Sequence, residues 1–71
     1  MPIKRRIAAH SIVLPDGRLL EPGCVELDEN DHVRQCYVLT GEQAGTTWLG
    51  GTVEIRQEGN SQKAYKNNKP I

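Results

Sequence analysis

Short apolar runs alternate with turn-forming clusters through most of this chain, and that cadence predicts antiparallel hairpins. Ile12-Val13-Leu14 and Leu19-Leu20 are separated by Pro15-Asp16-Gly17. Proline and aspartate set up a tight turn and Gly17 supplies the positive φ it requires, so the two runs should lie side by side. Upstream, residues 3 to 14 read as one long strand in which neither alternate face is polar. Ile7, Ala9, Ser11 and Val13 share one face, and Ala8, His10, Ile12 and Leu14 the other. A strand that serves two packing surfaces, or shifts phase at a bulge near Ala9 and His10, has this pattern. A short second strand over residues 18–21 is broken by Pro22-Gly23.

The next hairpin is tested by its own side chains, because residues facing each other across antiparallel strands share a face. A register centred on Asn30 puts Leu27 opposite Val33, Glu26 opposite Arg34, Val25 opposite Gln35 and Cys24 opposite Cys36. Val25, Leu27, Val33 and Tyr37 then share one face, and Asn30 closes the loop in the left-handed conformation it tolerates. The fourth strand should run from Val33 to about Leu39. Thr40-Gly41-Glu42-Gln43 reads as a cap opening one helical turn through Ala44, which Gly45 ends. Residues 52–57 alternate with Val53 and Ile55 inward, a fifth strand. From Glu58 the chain is almost without apolar residues, so residues 58–71 are expected to be a flexible polar tail on a single β-domain of residues 1–57. The predicted fold is all-β: a small antiparallel meander or half-sandwich of four to five strands with one short helical turn.

Composition changes this picture by limiting the core. Seventy-one residues make one domain that removes about 60% of its extended surface from water, so partner contacts should add to its stability. With no Phe and one Trp, the core must be aliphatic, with Trp48 as its large anchor. Net charge is zero but sorted: basic at Lys4, Arg5, Arg6 and Arg18, acidic from Glu21 to Glu42, basic again at Lys63, Lys66 and Lys69. Neutrality argues against obligate nucleic-acid binding. The N-terminal apolar run is interrupted at His10, Ser11 and Pro15, so no signal-peptide core or membrane span is expected. The expected location is cytoplasmic, with Cys24 and Cys36 reduced.

Candidate chemistry is sparse. His10, Cys24, His32 and Cys36 are enough residues for a zinc site but lack C-x-x-C or close His spacing. If Cys24 and Cys36 face each other, a Cys-Cys-His site with His10 or a cross-strand disulfide is geometrically open, yet buried free thiols are the favoured reading. Either cysteine with His10 or His32 is the sole candidate nucleophile, in a sheet with little room for a pocket. Asp28, Glu29 and Asp31 lack the EF-hand frame, and Gly41, Gly45, Gly50 and Gly51 lack the Lys and Ser/Thr of a phosphate loop. Lys4, Arg5 and Arg6, with Tyr37 and Trp48 as stacking platforms, would serve a module that binds single-stranded nucleic acid.

Ile12-Val13-Leu14-Pro15-Asp16-Gly17-Arg18, then Glu21-Pro22-Gly23-Cys24-Val25-Glu26-Leu27, then an acidic turn and Val33, resemble the small β-domain that precedes the catalytic barrel in the amidohydrolase superfamily of metal-dependent hydrolases. The resemblance implies a β-sandwich fold over residues 7 to 55 and a role as an accessory domain partnering such a hydrolase. It implies no catalytic residue, because the barrel and its His-x-His metal ligands have no counterpart here. Residues 39–43 and 46–52 also resemble the close of small uncharacterised bacterial proteins, which implies no activity. The reading is therefore of a non-catalytic interaction or assembly module without catalytic, metal or cofactor-binding residues. It should form a homodimer or engage another protein through Ile7, Ile12, Leu14 and Trp48; single-strand binding by Lys4, Arg5 and Arg6 is the alternative.

Overall fold

The turn at residues 14–18 sets the register of a hairpin that runs most of the length of the molecule. In this computed structural model, which describes residues 4–41 and 45–71, the Gly17 N–H donates to the Leu14 carbonyl and the Leu14 N–H to the Arg18 carbonyl, each at 2.9 Å. Gly17 sits at φ 90°, the left-handed conformation that glycine adopts at no steric cost. Strand β1 is Arg5–Ala9, β2 Ser11–Val13, β3 Leu19–Leu20 and β4 Gly23–Leu27. The pairs Val13 with Leu19 and Ile12 with Leu20 continue, without a slip, as Ala9 with Gly23 through Arg5 with Leu27. In the gap between them Ser11 Oγ donates to Glu21 Oε2 at 2.6 Å.

That gap, at His10 and Pro22, divides the hairpin between two sheets. Strand β5 is Val33–Val38, β6 Thr46–Trp48, β7 Thr52–Glu58, β8 Ser61–Lys66 and β9 Lys69–Pro70. One sheet has the order β5-β4-β1-β6 and the other β3-β2-β7-β8-β9. The long N-terminal strand is thus two strands meeting at His10, and its two mixed faces are explained: Ile7 and Ile12 both point into the space between the sheets. The chain is all-β with no helix among the described residues, hence none long and apolar enough to cross a membrane. The helical turn expected over residues 40–44 falls largely outside the described residues.

The sheets are mixed rather than purely antiparallel. Strand β6 runs parallel to β1 and β7 parallel to β2. Between these ladders, Leu49, Gly50 and Gly51 stand opposite only Ala9 and His10, an extra residue that bends the strand. Gly50 and Gly51 take φ 72° and 62°, which explains why the sequence has two glycines here. The Leu49 N–H donates to the Ala8 carbonyl at 2.9 Å and the Ser11 N–H to the Gly51 carbonyl at 3.1 Å, pinning the bend.

The hairpin of β4 and β5 departs from the expected register by one residue. Leu27 does face Val33, but a bulge follows, and Glu26 faces Gln35, Val25 faces Cys36 and Cys24 faces Tyr37. The loop is closed by Asp31, not Asn30, in the left-handed region at φ 63°. Its geometry comes from the Asp28 carboxylate, which accepts the N–H groups of Asn30 at 2.8 Å and His32 at 3.0 Å. Local hydrogen bonding by Asp28 shapes the loop and admits the extra residue.

Residues 58–71 are not a loose tail. Strand β8 pairs with β7 from Glu54–Tyr65 to Glu58–Ser61, and β9 returns along β8. Left-handed Gly59, Asn67 and Asn68 make the two tight turns. Few apolar residues are needed, because only Ala64, 2% exposed, and the half-buried Ile71 turn inward; backbone pairing holds the rest. An isolated bridge between His32 and Lys63 joins the start of β5 to β8, so the two sheets curl into a nearly closed roll. Its core is Ile7, Ala9, Ile12, Val25, Leu27, Val53, Ile55 and Ala64. Trp48 is not among them; it is half exposed at the edge of the first sheet.

Candidate functional site

The curled roll leaves two outer faces, one on each sheet, and strand alternation assigns their side chains. On the four-stranded sheet the outer face carries Arg6 and Ala8 from β1, Cys24 and Glu26 from β4, Gln35 and Tyr37 from β5, and Trp48 from β6. Glu26 is only 4% exposed and accepts three hydrogen bonds: from Arg6 Nε at 2.9 Å, Gln35 Nε2 at 2.7 Å and Tyr37 Oη at 2.8 Å. Burial opposes its charge, but the bonds from Arg6, Gln35 and Tyr37 outweigh it and hold the carboxyl below the ordinary glutamate value. Burial, with Cys24 and Glu26 alongside, pushes the Tyr37 phenol well above the usual tyrosine range. The bulge in β5 thus replaces the expected Glu26–Arg34 pair with a satisfied polar cluster. No sequence signal marked that bulge beyond the density of acidic residues before it.

The sequence-predicted chemical groups do not converge. Cys24 is buried and Cys36 half-buried, and both are free thiols; they are not cross-strand partners. Cys36 lines a cleft of about 300 Å³ with Leu14, Pro15, Asp16, Arg18 and Gln62. Burial, with Cys24 nearby, pushes its thiol to about 11, so it is protonated at neutral pH and a poor nucleophile. His10 stands at the junction of β1 and β2, its ring edge-on to Trp48 with centroids 4.9 Å apart. His32 is in the loop before β5. Among the described residues no three of His, Cys, Asp and Glu are grouped to hold a metal ion.

The basic N-terminus is engaged as well. Arg5 bonds Asp31 at 2.9 Å, Lys4 lies 3.8 Å from the same carboxylate, and Arg6 binds Glu26. Of the contact residues expected from sequence, Ile7 and Ile12 are 3% and 0% exposed and belong to the core; a surface role for them is corrected. Leu14 and Trp48 remain accessible, on different sheets.

The outer face of the five-stranded sheet was missed in sequence because half of it comes from the segment expected to be a tail. One row crosses all five strands: Leu19, Val13, Glu54, Tyr65 and Pro70. The adjacent row holds Arg56 and Lys63. Arg56 lies over Tyr65, its guanidinium carbon 4.3 Å from the ring centroid. It also donates to Glu54 Oε1 at 2.8 Å through Nε and to Asn68 Oδ1 at 2.6 Å. The Tyr65 hydroxyl is bonded to Glu58. Between this face and the first turn is a broad depression of about 530 Å³ bordered by Val13, Pro15, Glu54 and Arg56. No family model matches this chain, and neither a curated protein nor a solved structure was found that matches it.

Proposed function

We propose that this chain is a non-catalytic interaction module that associates with a second copy of itself. The observation that carries the reading is the distribution of apolar side chains. Leu19, Val38 and Trp48 are about half exposed, at 54%, 48% and 50%, while the core cluster is wholly aliphatic. In so small a domain, apolar surface held on outer strands is available for a partner to cover. The polar groups support the same reading. Glu26 and Tyr37 are bonded to each other and to their neighbours, and Cys36 is held protonated, so none is poised for acid, base or nucleophilic work. Nucleic-acid binding is less favoured, because Lys4, Arg5 and Arg6 already face Asp31 or Glu26.

Light scattering across a concentration series tests self-association. The mass should rise from 7.9 kDa towards twice that value as concentration increases. A mass that stays at one chain up to about millimolar concentration, where even weak specific dimers form, overturns the proposal.

A further inference from the structure

We infer that two copies meet face to face through the outer surface of the five-stranded sheet, an inference that rests on the self-association proposed above. The surface is complementary to itself. Take a twofold axis lying in the interface, across the strands, between the Glu54 row and the Arg56 row. It sets Glu54 against the second copy's Arg56, and Arg56 against its Glu54, since both project from the same face of β7. On β8 the same axis sets Tyr65 against the second copy's Lys63, a cation over an aromatic face. Beside them, the apolar lip of Val13 and Pro15 at the depression meets its own copy. An isologous interface requires this reciprocity, in which each contact occurs twice.

Two further features favour this occupant. The Glu54 and Arg56 side chains are 50% and 36% exposed and paired to each other at 2.7 Å, and Arg56 is held further by Tyr65 and Asn68, so little side-chain freedom is lost on docking. The face is small: β3 and β9 are two residues long, β2 three, β8 six and β7 seven, which at about 4.8 Å between strands and about 3.3 Å per residue gives roughly 300 Å². Two such faces bury about 600 Å², the size of a weak, transient pair. The opposite sheet offers no such match, because the carboxylate of its charged pair, Glu26, is only 4% exposed and is enclosed by its bonds to Arg6, Gln35 and Tyr37. Of the exposed apolar residues Leu19, Val38 and Trp48, Leu19 lies on the contact face, in the Glu54 row, while Val38 and Trp48 lie on the opposite sheet and stay outside the contact.

Sedimentation equilibrium on the full chain tests the interface with Glu54→Arg, Arg56→Glu and an equal mixture of the two variants. Each variant alone sets like charges face to face and should weaken the dimer about tenfold or more. In the mixed pair every facing Glu and Arg position again has opposite signs, so the mixture should recover affinity to within about threefold of the unaltered chain. A monomeric unaltered chain removes self-association, and this interface with it. An unaltered dimer, with both variants dimerising equally well and no gain on mixing, overturns this interface alone. If a variant fails to fold by circular dichroism, salt serves instead on the unaltered chain. Going from about 50 to about 500 mM should weaken the dimer severalfold, and an unchanged constant overturns the charge-matched face.

Discussion

Glu26 illustrates how a single buried carboxylate ties three strands together. Its hydrogen-bond donors lie on β1 and β5, and it stands on β4 between them. Because its folded pKa is lowered, its contribution to stability is fully present above the ordinary glutamate value and is lost as pH falls through the folded one. Asp16 and Asp28 are lowered mainly by backbone N–H groups of Arg18 and His32 and act in the same direction. Urea midpoints should therefore fall between pH about 7 and about 3. Glu26→Gln should be less stable than the unaltered chain at neutral pH and lose less on acidification. Equal slopes for the two proteins would show that Glu26 is not a source of the pH dependence. A second residue under constraint is Gly23: an added Cβ would stand 2.8 Å from Ile12 Cγ1 and from the Leu20 carbonyl oxygen. Gly23→Ala should cost about 1–3 kcal/mol in denaturant unfolding.

Among the elements, the first hairpin was legible in sequence because its turn is encoded locally by Pro15, Asp16 and Gly17. The inward alternation of Val53 and Ile55 was legible for the same kind of reason. The parallel placement of β6 and β7 was not, since no local pattern says which strand a segment will lie beside. Strand β8 was missed because hydropathy alone gave it one small inward residue, Ala64, and its order depends on β7 being already in place. A chain ending after residue 58 should consequently expose Ile55 and lose cooperative unfolding in a thermal melt. A sharp, unshifted melt would mean that β8 and β9 are dispensable. Replacing Gly50 by Ala, at φ 72°, should destabilise by about 1–2 kcal/mol without clash, as Trp48 Nε1 would be 3.7 Å from the new Cβ.

Over the whole molecule, the all-β class followed from turn spacing and β-branched runs, whereas the candidate surface did not. Glu54 and Arg56 were visible as charges on a strand, but Tyr65, Lys63 and Pro70 join them only once the last third of the chain is folded back. The core is aliphatic as expected, but Trp48, expected to anchor it, is left at a sheet edge beside the bend at Gly50 and Gly51.

The parallel crossing also has a consequence in time. When synthesis has passed residue 27, the first hairpin has every local partner it will use. Yet Ile7 and Ile12 both turn towards a space that β7 and β8 will later close. Half the wall is built before its roof exists. Contacts such as Ile12 beside Val53 span more than half the chain, and long loops must close before they form, so folding should take milliseconds to seconds rather than microseconds. Until the C-terminal strands arrive, a nascent chain presents the inner surface of its hairpin to whatever else is nearby.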